Sequence, residues 1–306
     1  YGAHQGVTNR LVDRLGVADT EELLVSLGVD MRRIRFAHNQ PATGPDAEGY
    51  TRNMWGGRRR ETDLGDGLPN YVSPFTEVST ADDVHAHVWP DATALDYSQV
   101  REQCREQYGE YATYGAPWSP FFHEVGWLIG QEEFMVWMHT KPAVVHAIIE
   151  HMVDYETAVT RLFLEAADGM IDIAYFGNDF GTQRGLFISP QMWQTFIREP
   201  LKRFFDVSHD CGCKVMKHSC GALRDIIPWL IADGVDILDP IQVAAAGMDL
   251  AGLVQDYGAD LCLHGGVDTQ RTLPFGSTDD VRAEVRSYLD ATRETGGYIL
   301  AGSQEF

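Results

Sequence analysis

The chain has 306 residues, 44% hydrophobic and 23% charged, with 24 basic against 45 acidic side chains and a formal charge of -21. That length and balance suit a globular protein with a full-sized core, and they exclude disordered, collagenous and low-complexity classes. So acidic a surface repels a phosphate backbone, so nucleic acid is not an expected partner, and no apolar run approaches the roughly 20 residues that cross a bilayer.

The opening Y-G-A-H-Q-G-V lacks the basic-then-apolar order of a signal peptide. Five cysteines with no framework spacing suggest thiols in a reducing cytoplasm. The chain starts at Tyr1 instead of Met and stops at Phe306, just past an apolar run, so terminal segments are expected to be missing.

Leucines spaced through L-V-D-R-L-G and E-E-L-L-V-S-L place helix in the first 30 residues, and Met31 to Ala37 reads as a strand. Residues 40 to 80 are rich in Gly, Pro and charge, with isolated Trp55, Tyr71 and Phe75, and read as a long excursion containing a hairpin. Thr80-Ala81-Asp82-Asp83 has the form of an N-cap opening a short helix that Trp89-Pro90-Asp91 closes. Another helix covers about 96 to 108.

From residue 111 short apolar runs alternate with longer amphipathic segments. The predicted strands are Tyr111 to Ala116, Ile171 to Phe176, Lys214 to His218, Val235 to Leu238, Leu261 to His264 and Tyr298 to Ala301. Helices are predicted near 131 to 138, 142 to 167, 190 to 211, 222 to 232, 248 to 257 and 278 to 294. This cadence predicts a parallel α/β domain. With Met31 to Ala37 it has seven strands, and a missing N-terminal segment would supply an eighth. The expected fold is therefore a TIM (β/α)8 barrel, one domain over residues 1–306. No G-x-G-x-x-G follows an early strand and no G-x-x-x-x-G-K-[ST] occurs, which argues against a nucleotide cradle.

Polar residues gather just past the predicted strands: Asn178 and Asp179, then His218 and Cys220, Asp239, His264 and Asp268, and finally Gln304 and Glu305. A barrel brings all of those ends to one rim. His218 and Cys220 are two apart, so an extended segment turns both the same way, and zinc accepts imidazole nitrogen and thiolate sulfur. A catalytic zinc wants a third protein ligand, for which Glu305, Cys262 and His264 are candidates. The alternative is an ordinary rim histidine beside a small buried thiol. Cys104, Cys211 and Cys213 read as structural.

Asn178, Gln183 and Arg184 belong to a polar loop suited to an oxygen-rich small molecule, or to a solvated loop with no ligand. Asp268 either orients a ligand, positions an acid or caps the next helix. Trp118, Phe121, Phe122 and Trp127 wall a flat ligand or simply pack.

Seven stretches stand out together: Trp89-Pro90-Asp91, N-D-F-G-T-Q-R-G-L-F-I-S-P at 178 to 190, K-H-S-C-G at 217 to 221, G-V-D-I-L-D-P-I-Q at 234 to 242, H-G-G-V-D-T-Q at 264 to 270, T-L-P-F-G at 272 to 276 and G-G-Y-I-L-A at 296 to 301. In this order they resemble the uroporphyrinogen decarboxylase superfamily, and within it the corrinoid-dependent methyltransferase branch. The resemblance implies a TIM barrel with a deep pocket at the strand C-termini. It also implies a zinc held by His218, Cys220 and a later cysteine beyond the last strand. That third position falls near Gln304, where no cysteine stands, and Glu305 is the neighbouring oxygen ligand. The departure counts against thiol activation. The arginine-rich N-terminal motif of true decarboxylases does not occur between Tyr1 and Phe306.

The resulting expectation is a cytoplasmic methyltransferase moving a one-carbon group between a small methyl donor or acceptor and a corrinoid. Zinc on His218, Cys220 and Glu305 acts as Lewis acid, Asp179, His264 and Asp268 hold substrate or move a proton, and Asn178, Gln183, Arg184, Asp239, Gln242 and Trp118 bind substrate. No D-x-H-x-x-G cobamide signature occurs, so the corrinoid comes from a partner protein. The alternatives are a metal-independent decarboxylase and a non-catalytic corrinoid-binding or small-molecule-binding barrel.

Overall fold

A computed structural model describes residues 3–37, 44–60, 70–118, 121–295 and 297–304. The strands in chain order are β1 (Met31–Arg33), β2 (Thr51–Arg52), β3 (Arg58–Arg60), β4 (Asn70–Val72), β5 (Ala112–Gly115), β6 (Ile173–Phe176), β7 (Lys214–His218), β8 (Ile237–Ile241), β9 (Cys262–Val267) and β10 (Tyr298–Gly302). Seven of them form one parallel sheet in the order β1-β5-β6-β7-β8-β9-β10. Helices join successive strands: Pro142–Ala166 before β6, Glu199–Asp210 before β7, Ile227–Asp233 before β8, Leu250–Tyr257 before β9 and Thr278–Thr292 before β10.

The sheet has an apolar layer on each face. Ala174 and Phe176 of β6, Val215 of β7, Leu238 of β8 and Leu263 of β9 face the helices in the large core. The alternate residues Ile173, Met216 and Ile237 form a small second core. Met31 of β1 and Ile299 of β10, from the two ends of the sheet, both pack against that inner core. A flat sheet cannot bring its two ends to one cluster, so this sheet curls around an interior. The architecture is α/β and TIM-barrel-like, as its strand cadence predicts.

Among the described residues the sheet holds seven strands, and no eighth pairs β1 with β10. The predicted excursion carries the three-stranded antiparallel sheet β2-β3-β4, with residues 61–69 outside the described part. The helix opened by Thr80 is present as Ala81–His85 with a full capping box to Asp83, and the Trp89 indole closes it by donating to the Val84 carbonyl at 3.2 Å.

Three predicted boundaries shift for local reasons. The first 30 residues hold two helices, Gln5–Leu15 and Thr20–Ser26, because Gly16 takes a left-handed C-cap (φ 67°) and Asp19 caps anew. The single helix predicted at 190 to 211 is interrupted by a π-helical turn, Gln194–Arg198, two residues before Pro200, which has no N–H to continue the regular ladder. The helix predicted at 222 to 232 starts only at Ile227, with Pro228 in its first turn. A helix not predicted, Phe122–Ile129, follows β5. No helix among the described residues is long and apolar enough to cross a membrane.

Candidate metal-binding active site

The site forms where the segments after β6 and β7 meet. Gly221 has φ +89°, a left-handed conformation open to glycine at little cost, and its Cα side faces the backbone of Gly181. A Cβ on Gly181 would lie 2.7 Å from the Cys220 carbonyl and 2.8 Å from the Ala222 nitrogen, so both glycines are needed for this approach. Hydrogen bonds then zip the two segments together. Phe180 N–H donates to Ser219 Oγ at 2.8 Å, Ala222 N–H to the Thr182 carbonyl at 2.8 Å, and Cys220 N–H to Asp179 Oδ1 at 2.8 Å. Gln242 supports the turn from β8, its Oε1 accepting from Gly221 N–H at 2.8 Å.

On β7, Met216 and His218 point inward while Val215 and Lys217 point outward. Lys217 is fully buried, its Nζ donating to the carbonyls of Gly177 (2.5 Å), Asn178 (2.9 Å) and His218 and lying 4.7 Å from the Phe180 ring centroid. It clamps the β6 end against the β7 end. Burial pushes its amine down to about 7, against the pull of Asp179 and Asp239. Asn178 takes a positive φ of 86° at the same place, and its Oδ1 accepts from Phe122 N–H at 3.0 Å.

These constraints bring Asp179, His218 and Cys220 together, with one potential ligand atom from each lying within 4.8 Å of the others. His218 Nε2 is 3.3 Å from Asp179 Oδ1 and 3.6 Å from Cys220 Sγ. On the other edge of the ring, His218 Nδ1 donates to Asp239 Oδ2 at 2.8 Å. Asp239 also accepts from His264 Nδ1 on Oδ1 at 2.5 Å and from the Tyr175 hydroxyl on Oδ2 at 2.5 Å. Burial acts to raise both carboxyls, but the His218 contact and neighbouring cations outweigh it and hold Asp179 and Asp239 below the ordinary 3.8. An ionised Asp239 can only accept, so both imidazoles carry their proton on Nδ1 there. For His218, burial opposes the charge, yet Asp179, Asp239 and Cys220 together raise it well above the ordinary 6.5. Without a metal, a proton on Nε2 is the cation between Asp179 and Cys220.

The donor set fits a zinc ion: one nitrogen, one sulfur and one carboxylate oxygen, with the ligating imidazole backed by a second carboxylate. The expected third ligand, Glu305, lies outside the described residues. Asp179, expected to hold substrate or move a proton, is the third potential ligand of the group. Cys262 belongs to the inner apolar core, where burial raises its thiol.

The other expected residues divide. His264 joins the site through Asp239, and Trp118 sits over it with ring centroids 4.9 Å from His218 and 5.0 Å from Tyr175. Gly177 makes room for that indole, since a Cβ there would lie 2.9 Å from Cε2 of Trp118. Gln242 and Asn178 spend their side-chain oxygens on the loop backbone. Gln183 and Arg184 are exposed. Asp268 Oδ1 accepts from Gln270 N–H at 2.7 Å and Arg271 N–H at 3.1 Å, shaping the turn after β9. Phe121 and Phe122 are buried in the core, while Trp127 is exposed.

Sequence reasoning missed Tyr175, Lys217 and His123. Tyr175 is legible as the inward neighbour of Ile173 on β6. Burial lowers the pKa of His123, opposed by the charge of Asp179 nearby. No local spacing marks it, because it sits on the unpredicted helix.

The uroporphyrinogen decarboxylase (URO-D) family profile matches residues 67–304, so the chain belongs to that family. Comparison with curated protein sequences gives no match. Among solved structures, a methyltransferase from Methanosarcina mazei is similar in fold, with a TM-score of 0.61 at 18% identity over 97% of this chain and 85% of that one. A 7,8-dihydropteroate synthase from Vibrio fischeri ES114 overlaps 45% of this chain and 54% of that one, with a TM-score of 0.28 at 13% identity, too little to bear on the fold.

Proposed function

We propose that the chain is a zinc-dependent methyltransferase that moves a methyl group between a small substrate and a corrinoid carried by a partner protein. The observation that carries this reading is the convergence of Asp179, His218 and Cys220 at the C-terminal ends of β6 and β7. Three protein ligands with a fourth position left to substrate is the composition of a catalytic zinc site. The methyltransferase of similar fold and the family membership favour the same reading.

Bound zinc would supply Lewis acidity, polarising a substrate oxygen or lowering the pKa of an attacking group. The chain's own residues do the rest. Asp239 fixes His218 so that Nε2 is directed to Asp179 and Cys220. It fixes His264 with Nδ1–H bound, which leaves Nε2 to accept or return a proton. Trp118 and Tyr175 form an aromatic wall beside the ligands. Lys217, although adjacent to His218, is turned onto backbone carbonyls and away from any substrate, so a decarboxylase of polycarboxylates is poorly served.

The test is methyl transfer from a methylcobalamin-loaded corrinoid protein to a panel of thiol, amine and phenolate acceptors, and the reverse reaction from methoxylated donors, followed by the cobalamin spectrum. Turnover in the wild type that is lost in His218→Ala and Cys220→Ala is the expected result. No transfer in either direction across the panel would defeat the proposal.

A further inference from the structure

The short helix Ala81–His85 meets the long helix Pro142–Ala166 through two histidines. His85 ends the first helix, and His151 lies in the third turn of the second. Nδ1 of His85 and Nε2 of His151 are 3.0 Å apart. A contact that short needs one N–H and one lone pair, so the two facing nitrogens share a single proton. His85 is exposed and His151 half-buried, so solvent reaches the pair. The Trp89 indole backs His151, stacked on it with ring centroids 4.7 Å apart and planes 10° from parallel. That indole is fixed in turn by the Val84 carbonyl and by contact with Trp55, Phe75 and His87.

The separation discriminates among cations. Two nitrogens each ~2.1 Å from a metal lie ~3.0 Å apart when the angle between them is a right angle, and ~3.4 Å apart at a tetrahedral angle. The observed 3.0 Å therefore suits the right-angled coordination of nickel(II) or copper(II) better than tetrahedral zinc. Burial and the neighbouring His85 lower the pKa of His151 against the pull of Asp154 and Glu150, which favours the neutral ring that ligates. Among the described residues no third histidine, cysteine or carboxylate joins the pair, which leaves the remaining positions to water, as six-coordinate nickel accepts. A chain of net charge -21 also draws cations to its surface.

We propose that His85 and His151 form a second metal site, which takes a divalent cation of the nickel or copper kind and ties the short helix to the long one. The donating ring moves its proton to its other nitrogen, so both facing nitrogens offer lone pairs and the neutral pair releases no net proton. A small turn of the exposed His85 ring brings the two lone pairs onto one cation. The site shares no residue with the group at His218 and does not depend on the proposed function.

Nickel chloride is the probe, titrated into the purified chain and into His85→Gln, His151→Gln, His218→Ala and Trp89→Phe, followed by calorimetry and tryptophan fluorescence. Melting temperatures with and without nickel are measured on the same samples. His85 is exposed, so at least the His85→Gln variant keeps the fold whatever His151→Gln does. The expected result is saturable binding that weakens by about tenfold or more in each glutamine variant and persists in His218→Ala. Nickel should raise the melting temperature of the wild type and of His218→Ala but not of His85→Gln, because only the folded pair binds it. It should also quench emission from the indole stacked on His151, and Trp89→Phe should lose that quenching. No saturable binding up to millimolar nickel, or binding of unchanged strength in His85→Gln, would overturn the proposal. Binding lost in His218→Ala and kept in both glutamine variants would place the cation at the strand ends instead.

Discussion

Asp239 holds both histidines of the site, accepting from His218 Nδ1 at 2.8 Å and from His264 Nδ1 at 2.5 Å. One carboxylate on β8, 4% exposed, thus sets the orientation and tautomer of two imidazoles on the strands either side of it, β7 and β9. Asp239→Asn preserves the shape but replaces one acceptor oxygen with an NH2 donor, which cannot receive an Nδ1–H. We expect zinc affinity to fall by about 10–100-fold, the usual effect of losing a carboxylate behind a ligating histidine. Competition against a chromophoric chelator measures it, and an unchanged affinity would mean that His218 is oriented by other contacts.

The raised pKa of His218 sets the pH dependence of metal binding. Zinc must displace the Nε2 proton, so apparent affinity should keep climbing with pH above 6.5. The sign is opposite for the stability of the metal-free chain. A folded pKa above the unfolded one contributes stability that is complete below 6.5 and is lost as pH rises through the raised value. Zinc titrations and melting curves on one pH series test both, and an affinity already flat at 6.5 would contradict the assignment.

Lys217→Met keeps most of the buried volume and removes the three carbonyl contacts. Its amine is lowered to about 7 from 10.5, so the unfolded chain binds the extra proton between those values. Wild-type stability should therefore rise with pH across that window relative to Lys217→Met. The variant should also bind zinc more weakly, because the segment that leads into Asp179 loses its clamp to the end of β7. Parallel urea titrations at several pH values should show a difference that changes with pH; a constant difference would rule out the assigned shift.

Gly221→Ala places a Cβ against the Gly181 backbone at φ +89°. The left-handed conformation alone costs about 1–2 kcal/mol for an L-residue, and the steric contact adds to it. The two loops should separate, with zinc lost before the fold is. Retention of full zinc content in a folded Gly221→Ala would show that the loops do not depend on this approach.

The sequence predicts β7 with the boundaries observed, because K-V-M-K-H alternates Val215 and Lys217 outward with Met216 and His218 inward. It also predicts the strand cadence and the polar residues at the strand ends. Asp179 is legible as one of those residues but not as the neighbour of His218 and Cys220. Their meeting depends on the contact between Gly181 and Gly221, a relationship between distant turns that no local spacing encodes. Tyr175 shares the inward face of the predicted strand with Ile173, but its meeting with His218 and Asp239 brings three strands together and no local spacing marks it. The helix Phe122–Ile129 lacks a side-chain cap and has Gly126 in its middle, so its signals were too weak to predict it.

The most direct measurement is zinc per chain in freshly purified protein, by elemental analysis, for the wild type and for Asp179→Ala, His218→Ala and Cys220→Ala, with a circular dichroism spectrum to confirm that each is folded. The account predicts close to one zinc in the wild type and a large loss in each folded variant, Asp179→Ala included. A wild type without zinc, or an Asp179→Ala variant that retains it fully, would contradict the three-ligand site.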